Sequence, residues 1–86
     1  MNNNIYILES LASDLKRVAL GLHRGSTTMA NRFLDEALKR KNELNTEDVA
    51  QYIQKLLEKI DKDLDSENAL MYSTLIQNYT QSPQNL

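Results

Sequence analysis

Cysteine is missing from this 86-residue chain. Disulfides, thiolate metal sites and cysteine nucleophiles are thereby excluded. The single histidine, His23, rules out an ordinary histidine-rich zinc site. Gly21 and Gly25 are the only glycines and neither precedes a Lys-Ser/Thr pair, so no phosphate-cradling loop exists. No stretch approaches the ~18 consecutive apolar residues of a membrane span. The opening Met1-Asn2-Asn3-Asn4 lacks the positive charge and apolar core of a secretory signal, which makes a cytoplasmic location the expectation. Asn78-Tyr79-Thr80 matches a glycosylation acceptor, but without secretion the match is compositional.

What remains is a single small domain. A chain of this size buries only roughly 60–65% of its unfolded surface. Without disulfides or metals, association is the means left to supplement its core. The net charge of −2 selects no class of partner. Its distribution is uneven: residues 1–41 hold seven Lys/Arg against four Asp/Glu, and residues 42–86 hold three against eight. Opposite charge on neighbouring helices of one bundle accounts for the split, and two chains packed head to tail would satisfy it too.

Residues 46–64 carry the clearest periodicity. Val49, Ile53, Leu56, Leu57, Ile60 and Leu64 fall on one face of a helix with ~3.6 residues per turn. Thr46 is placed to cap it, with Glu47 and Asp48 in the first turn, where the helix dipole favours negative charge. Upstream, Leu8, Leu11, Leu15, Val18 and Leu22 form a heptad-like seam, widened by Ile5, Ala12 and Ala19. Tyr6 and Leu20 lie off that seam and mark a second surface. Gly21 to Gly25 close this helix, Gly25 through a left-handed backbone. Ser26, Thr27 and Thr28 are candidate caps for the next. The tight turn predicts antiparallel neighbours.

A second helix over 28–43 presents Ala30, Phe33, Leu34, Ala37 and Leu38 to the core. Its outer face pairs Arg32 with Glu36, Asp35 with Lys39 and Glu36 with Arg40 at helical spacing. Beyond residue 60 the apolar phase continues through Met71, Leu75 and Tyr79 without a glycine or proline. Against continuity, Asp61, Asp63 and Asp65 oppose the dipole of a helix end, and Asp65 or Ser66 suits the cap of a new one. The final segment, with Ala69, Leu70, Met71, Tyr72, Leu75, Ile76 and Tyr79, is apolar nearly all round and needs cover on more than one side. Residues 81–86, polar and holding Pro83, read as a flexible tail. The fold expected is an all-α, small antiparallel bundle occupying residues 1–80. Its helices span 4–22, 28–43, 47–64 and 67–80, or number three if the last two are continuous.

Each candidate chemistry has a plainer explanation. Asp61, Asp63 and Asp65 alternate as in an EF-hand calcium loop. Ser66 and Tyr72, however, stand where that loop needs its glycine and its bidentate glutamate. His23 has Ser26, Thr27 and Asp14 near it only in sequence, and a catalytic triad is a matter of geometry. Carboxylate pairs such as Asp35-Glu36 fall on exposed faces without an apolar pocket to raise a pKa. Neither a catalytic residue, a metal nor a cofactor is expected, and the protein is not read as an enzyme.

The reading that remains is a non-catalytic interaction, regulatory or adaptor module that binds another protein or a second copy of itself. Its contact residues would be Tyr6, Leu20, Leu70, Met71, Leu75 and Tyr79. The alternative is a small helical nucleic-acid-binding protein using Arg24, Thr28, Asn31, Arg32, Lys39 and Arg40 of the first two helices. The acidic balance, with pI ≈ 5.3, weighs against it.

Overall fold

The seam at Leu8, Leu11, Leu15 and Val18 becomes the buried face of helix α1, Asn4–His23. A computed structural model describes residues 3–81, and Leu8, Leu11 and Leu15 are wholly buried in it. Gly25 ends the helix with a φ of +75°, a backbone that only glycine adopts without strain. Its N–H donates to the Leu22 carbonyl at 3.1 Å, and the N–H of Ser26 reaches back to the Gly21 carbonyl at 2.8 Å. This is the Schellman closure, and it satisfies two carbonyls that the helix leaves without partners. Ser26 then caps α2, Thr27–Glu43, its hydroxyl accepting from the Met29 N–H at 3.3 Å.

The turn lays α2 antiparallel along α1. Gly21 meets Ala30, Asp14 faces Arg40, and Asn4 reaches Asn45 beyond the end of α2. Gly21 has a different role from the one its position suggested. It sits inside α1 at the crossing, where an added Cβ would stand 2.9 Å from the Ala30 backbone nitrogen. Helix α4, Ser66–Gln81, flanks α1 on another side, also antiparallel. Ser73 donates to the Ala12 carbonyl at 2.6 Å, and Ser66 to that of Ala19 at 3.5 Å.

Helix α3 corrects the clearest expectation. The helix over 46–64 is not continuous: a 3₁₀ turn, Thr46–Asp48, precedes an extended link at Val49 and Ala50. The α-helix itself covers only Gln51–Glu58. Thr46 makes no capping bond. Instead the Asn45 amide donates to the Asp48 carboxylate at 3.0 Å, and the Ala50 N–H donates to the Tyr79 hydroxyl at 3.0 Å. The apolar phase survives the interruption, since Val49 and Ile53 are both buried.

The chain also breaks between α3 and α4, so the bundle has four helices, and no strand occurs among the described residues. Side chains do the work that glycine or proline would otherwise do. The Asp61 carboxylate accepts the Asp63 N–H at 2.9 Å, Asp65 accepts the Asn68 N–H at 2.7 Å, and the Lys41 ammonium donates to the Ile60 carbonyl at 3.1 Å. Such bonds offer the backbone an alternative to the helical ladder. α4 includes Gln81; the rest of the tail expected over 81–86 lies outside the described residues.

The cross-section of 20 × 19 Å is about two helix diameters each way, so the core is a single layer. It is filled by Leu8, Leu11, Leu15, Ile53, Leu57, Ile60 and Ile76. A polar clamp closes one end. Asn4, 4% exposed, donates to the Asn45 carbonyl at 2.8 Å and accepts the Asn45 N–H at 3.1 Å. An asparagine at a helix start gives no sign in sequence of a partner forty-one positions away.

Candidate functional site

Three kinds of surface deserve a chemical reading: the ionic contacts of α1 and α2, the α1–α4 groove, and the outward face of α4. The i,i+4 pairs expected along α2 do not describe its ionic contacts. Lys39 meets Glu36 at 4.0 Å, and Arg40 meets Glu43 at 3.6 Å. Arg40 also faces the largely buried Asp14 at 4.0 Å, and Arg17 approaches the same carboxylate at 3.9 Å. At those distances Asp14 Oδ2 and Arg40 Nε have no hydrogen-bond partner. Burial therefore pushes the Asp14 carboxyl above its ordinary 3.8, against the pull of Arg40 and then Arg17, with Glu36 adding to the rise.

The raised pKa sets the sign of a measurable effect. The folded carboxyl binds its proton at a higher pH than the unfolded one. Wild type should therefore gain stability relative to Asp14→Asn as pH falls through the raised value toward 3.8. The gain is complete below that, where both states are protonated. Urea unfolding of the two proteins at pH 7 and pH 4 checks it. Drift in the opposite direction would mean that the arginines outweigh burial.

The basic residues separate into two groups. Arg24, Thr28, Asn31 and Arg32 are exposed near the α1–α2 turn. Lys39 and Arg40 lie toward the far end of α2, in the ion pairs above. Arg17 stacks over the Phe33 ring with 5.4 Å to its centroid and donates to the Ser13 hydroxyl at 2.8 Å. Much of the positive charge is thus held by groups of the same chain.

The α1–α4 groove changes character along its length. One end, about 320 Å³, is lined by Lys16, Ala19, Leu20, His23, Ser66 and Leu70. The lining is chiefly apolar, and it brings no carboxylate to orient His23. The other end, about 220 Å³, is polar, with Glu9, Ser13, Lys16, Ser73 and Gln77 among its walls. Asp61, Asp63 and Asp65 turn two of their carboxylates to backbone N–H groups. Among the described residues no three potential ligands gather as a metal site would require. No described helix is long and apolar enough to cross a membrane.

The apolar contact candidates are placed unequally. Tyr6 is 71% exposed, and Leu20, Leu70, Met71 and Leu75 are exposed to a lesser degree. Tyr79 is half-buried: its hydroxyl holds the Ala50 N–H, and its ring meets Tyr52 edge-on at 5.9 Å. Tyr72, part of the same apolar run, is buried. α4 therefore inserts Ala69, Tyr72 and Ile76 into the core and turns Leu70, Met71 and Leu75 outward. From Asn68 to Leu86 no side chain is charged. That run was readable in the sequence as a sign of a surface not meant wholly for water. Tyr52, 59% exposed on α3, was missed because its helix looked adequately described by its apolar stripe.

Comparison with protein-family models, curated proteins and solved structures finds no match to this chain. The class is thus defined by the molecule itself: a small all-α bundle of four helices, compatible with a non-catalytic role.

Proposed function

We propose that this protein is a non-catalytic interaction module that binds another protein through the outward face of α4. The observation that carries this reading is the conjunction of Leu70, Met71 and Leu75, all exposed, on a helix whose only charged residue is Glu67. Single exposed leucines are ordinary. Three large apolar side chains on the outward side of one helix, with Glu67 at its first turn as the single charge, match the charge-poor composition of an interface centre. The partner surface that fits is apolar and carries no charge of its own at the contact.

Nucleic-acid binding draws less support, because Lys39 and Arg40 are already paired within the fold and Arg24 and Arg32 form only a small exposed group. Phosphate recognition depends on free cations in number.

The test places a photoreactive phenylalanine analogue at Met71 in cells that make the protein, with the same probe at exposed Asp35 on α2 as control. A discrete protein adduct, identified by mass spectrometry, is expected from position 71 alone. It should vanish when Leu75→Asp is added, with the helical circular dichroism unchanged. Products that match those of the control position, or none, would sink the reading.

A further inference from the structure

The exposed stripe of α1 has an order that is complementary to its own reverse. Tyr6, Glu9, Ser13, Lys16 and Leu20 are all exposed. At ~100° per residue they fall within about 80° of arc on one side of the helix. In order they are apolar, acidic, small, basic and apolar, with Ser13 at the centre. A surface that packs against its own copy across a two-fold axis must be complementary to itself when reversed. This one is. With two α1 helices antiparallel and crossing at Ser13, Glu9 of each faces Lys16 of the other, and Tyr6 faces Leu20.

The ends of the stripe fit as well as its middle. The apolar end of the α1–α4 groove lies beside Leu20, its volume about 320 Å³. That is ample for an aromatic ring. Its polar edge, His23 and the Ser66 hydroxyl, can meet a phenol. Tyrosine joins an apolar body to a polar tip and is favoured where contact of both kinds is offered. Within its own chain Tyr6 is 71% exposed and far from that groove, since fourteen positions of helix separate it from Leu20 by ~21 Å. Ser13 itself is small, and the exposed Arg17 bonded to its hydroxyl lies beside Lys16, adding to the positive charge that faces Glu9 of the other copy.

We infer that the occupant of this groove is Tyr6 of a second copy of the chain, in a two-fold dimer formed by antiparallel α1 helices crossing at Ser13. The inference rests on the interaction-module reading and extends it to the neighbouring side of the molecule. The two share Leu70, which lines the groove, while Glu9 and Lys16 belong to the dimer alone and Met71 and Leu75 to the α4 face alone, so separate substitutions test them. In the dimer the face of α4 with Met71 and Leu75 remains open to a foreign partner.

Sedimentation equilibrium over a wide concentration range tests it. Wild type should dimerise, and Tyr6→Ala should weaken the dimer by ~10–100-fold, the ordinary cost of truncating an aromatic anchor. Glu9→Lys alone sets like charges against Lys16 of the other copy and should weaken it too. Lys16→Glu alone does the same against Glu9. The double exchange, Glu9→Lys with Lys16→Glu, should restore the dimer. All three residues are exposed, so the helical signal is expected to stay at the wild-type level and is recorded alongside. A wild-type monomer at every concentration overturns the inference and leaves the α4 reading standing. A dimer indifferent to the exchange, or one dissociated by Met71→Asp with Leu75→Asp, overturns it also by placing the contact elsewhere.

Discussion

Leu15→Ala is expected to remove about 3–5 kcal/mol of stability, the range for truncating a fully buried leucine whose surroundings cannot collapse. Leu15 is wholly buried on the central helix, facing the core that α3 and α4 complete. A chain of this length has a total of only ~4–13 kcal/mol to lose. The variant should therefore be unfolded at moderate urea, or largely unfolded without any. Equilibrium urea unfolding measures this, with Leu75→Ala as comparison. Leu75 is 41% exposed, and its truncation should change stability by less than ~0.5 kcal/mol. A loss below about 1 kcal/mol at Leu15 would mean that the bundle repacks around the gap and that its core is less specific than the structure indicates.

Gly21→Val is expected to cost about as much, by the opposite mechanism. Its Cβ would lie 2.9 Å from the Ala30 nitrogen and 3.2 Å from the Ala30 Cα. Those atoms belong to the backbone of α2 and cannot rotate aside, so the helices must separate. Overpacking of this kind costs ~1–3 kcal/mol for small additions and more for a branched side chain. Gly21→Ala, which regains up to ~1 kcal/mol of helix propensity, should still lose stability, but less. Gly25 provides the contrast. Nothing lies within 4 Å of a Cβ there, and the strain comes from a φ of +75°. Asparagine, which tolerates that backbone, should therefore be milder than alanine at Gly25 and give no relief at Gly21. Urea unfolding of the five variants, valine, alanine and asparagine at Gly21 and alanine and asparagine at Gly25, separates a steric requirement from a conformational one. Gly21→Val at wild-type stability would show that the crossing adjusts freely.

Parts of the fold were legible because they depend on residues close in sequence. The seam of α1 repeats at steps of three and four, and the glycine closure and the cap of α2, which Ser26 supplies from the three candidates Ser26, Thr27 and Thr28, each involve residues within five positions of one another. The structure places each within a residue of its expected position. The helix over 46–64 looked equally legible and was not, because periodicity reports which residues share a side, not whether the backbone between them is helical. Val49 and Ile53 keep their phase across an extended link. The bonds that favour that link come from Asn45 and Asp48 locally and from Tyr79, twenty-nine positions from Ala50. For the candidate site, the apolar surplus of the last segment was visible in sequence. Its division between core and surface was not, since Tyr72 and Met71 are neighbours with opposite fates.

The sequence by itself determined the all-α class, the absence of thiol chemistry, the first two helices and their antiparallel turn. These follow from composition and from hydrogen bonds spanning a few residues. Only the tertiary structure decided that Gly21 is a helix contact, that Asn4 clamps Asn45, that α3 is short, and that α4 leaves Leu70, Met71 and Leu75 outside. Each of those depends on which distant group arrives beside a given residue. A single layer of core has room for one side of α4, and the packing of α1 and α3 selects which side that is.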